Sequence, residues 1–174
     1  VRAFLLTGVI VISLSRSLAL QKYYTAPLGV FAELAAQSPD PALVCTCGEW
    51  YRYPSSFYLP EGMRLGLLKS SFVGLLPQPF SKHGSSVEGQ EVLQSFNDRN
   101  REEESRYSDD ANCTWIVDFD EGQCAHGLTR EHVLSLPFLN ADKTPTLHRI
   151  VYIPYMHEYS KASYSSFTLW KVVE

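Results

Sequence analysis

The chain has 174 residues, a formal net charge of −4, a hydrophobic fraction of 45% and 10 Tyr, 9 Phe and 3 Trp, which is enough apolar material for one packed core. This excludes a disordered tail, and the absence of any Lys or Arg run removes the attraction on which non-specific nucleic-acid binding depends, so no nucleic-acid partner is expected. Cys45, Cys47, Cys113 and Cys124 are too few for a disulfide-dense scaffold, and their spacing matches neither a zinc finger nor a zinc ribbon.

Ala3 to Ser15 reads AFLLTGVIVISLS, thirteen residues without a charge. As a helix it covers only about 20 Å of a hydrocarbon layer roughly 30 Å thick. Extension over residues 1–20 reaches spanning length but takes in Arg2 and Arg16, which a bilayer accepts only where the guanidinium can snorkel to the headgroups. Three readings compete: the end of a transmembrane helix, a signal peptide with Leu18-Ala19-Leu20 near its cleavage site, and a buried core helix. The chain opens on Val1 rather than Met, so a truncated parent is the expectation.

Thr25 can cap a helix that begins at Ala26-Pro27, repeats apolar residues at Leu28, Phe31, Leu34 and Ala35, and stops near Ser38-Pro39. Ala42 to Thr46 and Met63 to Leu68 follow turn residues and read as strands. The Pro-, Ser-, Gly- and charge-rich stretch from Pro77 to Glu104 reads as surface loop. Beyond it, Trp115 to Phe119 is a strand, Arg130 to Leu136 a short helix, His148 to Ile153 a strand and Ser163 to Val173 the last strand. The sum is an α/β fold: one compact domain over residues 21–174 with a mixed sheet of about five short strands.

Glu49 to Pro60 reads EWYRYPSSFYLP and concentrates five aromatics around one acid and one base. Aromatic faces stack on the C–H faces of sugars, while Glu and Arg offer an acceptor and a five-donor fork. Glu49, Trp50, Tyr51, Arg52 and Tyr53 are therefore the candidate substrate-binding residues. The plainer reading makes Trp50, Tyr53 and Phe57 core anchors at helical spacing, with Glu49 and Arg52 a surface pair.

SRSLAL at Ser15 to Leu20, EWYRYP at Glu49 to Pro54, MRLGLLKSSFVGLLPQPF at Met63 to Phe80, FNDRNREEESRY at Phe96 to Tyr107, WIVDFD at Trp115 to Asp120, PFLNAD at Pro137 to Asp142 and RIVYIPYM at Arg149 to Met156 resemble, in this order, the carboxy-terminal part of α-1,2-mannosyltransferases of glycosyltransferase family 22. Cys47-Gly48, Glu121 to Leu136 and the chain end after Lys171 depart from that pattern. The resemblance implies a fragment of a many-pass endoplasmic reticulum membrane protein with residues 1–20 as the end of a transmembrane helix and the rest facing the lumen. It also implies transfer of mannose from dolichyl-phosphate mannose to a lipid-linked oligosaccharide acceptor, without a cofactor. The catalytic base, a carboxylate of the first lumenal loop, is then expected upstream of Val1, and this part supports acceptor binding or structure. The alternatives are a secreted or lumenal binding domain behind a cleaved signal peptide, and a relative with another linkage or acceptor.

Weaker signals remain. Asn112-Cys113-Thr114 fits the N-x-[ST] glycosylation pattern, which makes Asn112 a candidate acceptor. Cys45 and Cys47 on a strand face one side, where Cys124, His126 and His132 could join a metal site; no metal is expected because the spacing is poor. In an oxidising compartment, bridges between Cys113 and Cys124 or between Cys45 and Cys113 are the candidates. The NREEE run at Asn100 to Glu104 reads as a solvated face, with Arg106-Tyr107 closing the loop.

Overall fold

A computed structural model describes residues 2–37, 40–48, 52–54, 56–77, 101–120, 124, 127–154 and 161–173. Helix α1 (Arg2–Tyr24) and helix α2 (Ala26–Gln37) precede a five-stranded sheet made of β1 (Leu43–Cys47), β2 (Arg64–Leu68), β3 (Trp115–Phe119), β4 (Arg130–Leu139) and β5 (Tyr164–Val172), with a short helix α3 (Thr146–Ile150) between the last two strands.

The sheet order is β2-β1-β3-β5-β4. Strand β1 runs parallel to both β2 and β3, whereas β5 is antiparallel to β3 and to β4. Four strands therefore point one way and β5 alone points back, so the carboxyl ends of β1, β2, β3 and β4 share one rim. Pairing covers the backbone polar groups, and the alternating side chains fill two layers. On one face, Val44, Trp115, Val117, Phe138, Phe167 and Leu169 meet Val30, Phe31 and Leu34 of α2. Ala26, Val30 and Leu34 recur every four residues and so line one stripe of that helix. On the other face, Cys45, Cys47, Leu68, Ile116, Cys113 and Cys124 form a second cluster.

Cys45 is bonded to Cys113 and Cys47 to Cys124, with Cα separations of 5.8 and 5.9 Å. The alternation expected of Cys45 and Cys47 thus holds, and of the two candidate bridges only Cys45–Cys113 forms. These bonds occupy every thiol of the imagined metal cluster. His132 bonds Ser135 and lies against Trp170, while His126 falls outside the described residues. Among the described residues no group of three or more His, Cys, Asp or Glu could hold a metal ion.

Two expected elements change type. Residues 130–136 belong to strand β4, because Leu134, Leu136 and Phe138 alternate at period two beyond a bulge that turns His132 to the other face, and the strand pairs with β5 as far as Leu139. Pro137 is tolerated there because β4 is an edge strand. Residues 148–153 are not a strand: Thr146–Ile150 is helical, held at its start by the His148 amide donating to the Pro145 carbonyl, and residues 151–153 are irregular. Thr25 also departs from the expected cap. Its carbonyl opens α2 by accepting from the Gly29 amide, but its hydroxyl donates back to the Gln21 carbonyl at 2.8 Å and so closes α1 rather than capping α2.

Helix α1 is about 35 Å long at 1.5 Å per residue. From Arg2 to Leu14 every residue is exposed, including Phe4, Leu5, Leu6, Val9, Ile10, Val11 and Ile12. Four successive β-branched residues, Val9 to Ile12, disfavour a helix in water but suit hydrocarbon, where the backbone must satisfy itself internally. The character changes at Ser15. Beyond it Ala19 and Tyr23 are fully buried against Leu139, so the Leu18-Ala19-Leu20 stretch is helix locked to the domain rather than the exposed, extended segment a cleavage site needs.

Candidate functional site

The rim where four strands end opens into a cavity of 430 Å³ lined by Cys47, Gly48, Arg52, Tyr53, Ser71 to Gly74, Phe119, Asp120 and Asn140 to Asp142. Its volume falls within the roughly 300–1,000 Å³ of small-ligand clefts. Each strand supplies a part. Strand β1 turns away at Gly48, whose φ of 85° suits glycine, and β3 turns at Asp120, whose φ of 66° is a left-handed conformation that Asp adopts more readily than most residues. The Asp120 amide still donates to the Ser166 carbonyl, which anchors the turn to β5. Strand β4 ends in a turn held by Asn140, whose side chain donates to Ser165 and accepts from the Lys143 amide.

Tyr53 forms the floor. It is buried, lies edge-on to Phe167 at 5.3 Å, and its hydroxyl donates to the Cys47 carbonyl. Burial, with the nearby Asp118 carboxylate adding to it, pushes the phenol far above its ordinary value, so Tyr53 is a neutral donor at any physiological pH. Arg52 lies with its guanidinium 5.2 Å from the centre of the Phe119 ring, within cation–π distance. Among the described residues the cavity thus presents the carboxylates of Asp120 and Asp142, the Arg52 guanidinium, and the aromatic side chains of Phe72 and Phe119. Acceptors, donors and apolar faces in one small cleft suit a polyhydroxylated ligand such as a sugar.

The chain is 35% identical over 178 residues to mouse α-1,2-mannosyltransferase ALG9, an alignment that takes in 92% of this chain and 29% of that protein. Human ALG9 is 34% identical over the same shares, and the Drosophila melanogaster protein 34% identical over 92% of this chain and 28% of its own length. The chain belongs to the ALG9 family. It spans less than a third of the length of the curated ALG9 relatives it matches. No protein-family model and no solved structure matches it.

In this ALG9-family chain the five candidate substrate residues divide. Arg52 and Tyr53 reach the cavity, whereas Glu49, Trp50 and Tyr51 lie outside the described residues. The plainer reading holds for Tyr53, a core residue, and fails for Phe57, which is 87% exposed and pairs only with its neighbour Tyr58 among the ring contacts of the described residues. Asp120, Asn140 and Asp142 were not singled out by sequence. The signal was available: WIVDFD and PFLNAD each carry a strand out of the sheet and end on an acid.

The acidic run is structural. Lys69 pairs with Glu104 at 2.6 Å, Arg106 pairs with Glu103 at 2.6 Å and donates to the Leu76 carbonyl, and Tyr107 donates to Glu102. These contacts tie the irregular segment that leaves β2 to the segment that enters β3. Asn100 lies outside the described residues.

Proposed function

We propose that this chain is part of an endoplasmic reticulum α-1,2-mannosyltransferase that moves mannose from dolichyl-phosphate mannose to the lipid-linked oligosaccharide precursor of N-glycans, and that its rim cavity holds part of the acceptor glycan. The observation that carries this is the 34–35% identity to ALG9 proteins across 92% of the chain. A polar and aromatic cavity of ligand size agrees with it. Two disulfides support a lumen-facing domain, since such bonds persist in oxidising compartments. The exposed apolar start of α1 supports its place in the membrane as the end of a transmembrane helix, with residues 21–174 as the domain.

In this reading Asp120 and Asp142 accept hydrogen bonds from sugar hydroxyls, Arg52 donates to ring or hydroxyl oxygens, and Phe72 offers an apolar face. Glu49, Trp50 and Tyr51, next to Arg52 in sequence, are kept as proposed substrate-binding residues. The carboxylate that removes the acceptor proton belongs to the part of the protein that this chain does not span, so the cavity positions rather than reacts. Asn112, exposed at the end of the 3₁₀ turn Asp110–Asn112, is proposed as a glycan acceptor that is used before Cys113 pairs with Cys45.

The test uses the full-length enzyme in microsomes with radiolabelled dolichyl-phosphate mannose and purified acceptor. Arg52→Ala and Asp142→Asn should each raise the acceptor KM about tenfold, the effect of losing one charge-assisted hydrogen bond of roughly 1.5 kcal/mol, with kcat little altered. Wild-type KM values in both folded variants would remove the acceptor role from the cavity.

A further inference from the structure

A second exposed apolar surface lies beside α1. Leu147, Ile150 and Ile153 are 65%, 41% and 51% exposed, and all three fall on α3 or immediately after it. Isolated exposed leucines are ordinary on protein surfaces, but three within seven residues next to a bare apolar helix form a patch.

Its position along α1 is fixed by hydrogen bonds. The Ser15 hydroxyl donates to the Tyr152 carbonyl at 2.9 Å, and the Tyr152 amide donates to the Ser15 oxygen at 3.2 Å. Ser15 ends the charge-free stretch of α1, and Arg16, exposed, is the first charge after Arg2. The helix therefore leaves the apolar layer at the level where Tyr152 is clamped, and Ile150 and Ile153 flank that clamp by two residues and one. Tyr152, half-buried, meets the buried Tyr23 edge-on at 5.8 Å, and Tyr23 meets the exposed Tyr164 at 6.1 Å, so Tyr152 and Tyr164 are the tyrosines of this group that reach the surface. Tyrosines with basic residues close by, here Arg16 and Lys22 on α1, are the composition that settles at a membrane–water interface. Ile150 to Met156, IVYIPYM, also carries no charge.

We propose that Leu147, Ile150 and Ile153 enter the interfacial layer of the same bilayer as α1, a second contact that sets the height and tilt of the domain over the membrane. This rests on the reading of α1 as a membrane helix. Two anchors on one rigid body remove the rotation that a single helix would leave free, which keeps the rim cavity in one orientation toward a lipid-linked substrate.

The test places an environment-sensitive fluorophore on single introduced cysteines in the full-length protein, in a background without other free thiols, reconstituted into nanodiscs. Nitroxide lipids labelled near the headgroup or at mid-chain serve as quenchers. Val9→Cys reports on α1, Leu147→Cys, Ile150→Cys and Ile153→Cys on the patch, and Lys69→Cys is the control, because Lys69 is exposed just past β2 at the far edge of the sheet from β4. The expected result is strong mid-chain quenching at Val9 and, at two or more patch positions, quenching by headgroup-proximal nitroxide at least threefold above the background level at Lys69. Patch signals equal to that of Lys69 while Val9 is quenched would overturn the proposal and leave the membrane reading standing, as when another protein segment covers the patch. No quenching at Val9 would overturn both.

Discussion

Removal of the Cys47–Cys124 bridge, by changing both residues to Ala, is a measurable perturbation because the two disulfides share a ring. Each alone spans a long stretch, with sequence separations of 68 for Cys45–Cys113 and 77 for Cys47–Cys124. Once the first is closed, the second closes a ring of only about 13 residues, two along β1 and eleven from Cys113 to Cys124. On the chain-entropy account a ring of that size stabilises by about 3 kcal/mol, whereas the first long ring contributes about 4.4 kcal/mol. Loss of either bridge alone should cost about 3 kcal/mol, and loss of both about 7 kcal/mol, more than twice the single loss. Amide exchange at Val44, Thr46, Ile116 and Val117 in the reconstituted full-length protein reads this directly. A single loss should speed exchange on the order of 100-fold. Unchanged exchange at β1 and β3 would refute the cross-linking role, and two single losses that add up to the double loss would refute the shared ring.

Gly66→Ala should lower the melting temperature, at a cost of about 1–3 kcal/mol, because a Cβ there lies 2.7 Å from the Ser108 hydroxyl and 3.2 Å from Cys45 sulfur; Gly8→Ala, inside α1 with nothing within 4 Å, should leave it unchanged or raise it in the same thermal-shift assay. Tyr53→Phe removes the donor to the Cys47 carbonyl and should cost about 1 kcal/mol at neutral pH. It should also flatten the alkaline limb. The folded phenol ionises above its ordinary value of 10, so its share of stability is whole below pH 10 and falls above it by up to about 1.4 kcal/mol per pH unit, a slope that unfolding titrations of the variant should lose. Tyr107, pushed up to about 12 by burial and then by its bond to Glu102, contributes in the same direction and remains as the residual slope. Glycosidase treatment should shift the full-length protein in a manner abolished by Asn112→Gln and increased by Cys45→Ala, which leaves the acceptor tripeptide unpaired for longer; no shift in either background would dismiss Asn112 as an acceptor.

Most of the architecture was legible because local pattern and tertiary context agree there. Helix α2 and strands β1, β2, β3 and β5 each begin and end within a residue or two of where caps, prolines and β-branched runs place them. The failures cluster where they disagree. Residues 130–136 carry apolar side chains that fit either period, and the partner that decides, β5, lies some thirty residues on. Around His148, a β-branched appearance lost to Pro145 and to the Arg149 guanidinium bond to the Thr144 carbonyl, which together close a helical turn. The site was half legible. Arg52 and Tyr53 stand in a segment with unusual composition, but Asp120 and Asp142 become neighbours only because β3 and β4 point the same way, a fact of strand order. The cysteine pairing has the same origin. One face of β1 selects Cys45 and Cys47 together, and the path of the chain around β3 then assigns their partners.

Strand β1 sits in the interior of the sheet, yet its neighbour β3 is made about seventy residues later. At the usual 5–20 residues per second of synthesis, the chain from Cys47 to Cys124 takes roughly 4–15 s to emerge. For most of that interval, until Cys113 and β3 emerge, β1 has one edge unpaired, both its thiols lack their mates, and its greasy face has no cover from β3 or β5. A fold born this way should gain from helpers that shield a sticky ribbon and reshuffle premature sulfur bonds. Any truncation that stops the ribosome short of Trp115 should yield a species destined for degradation.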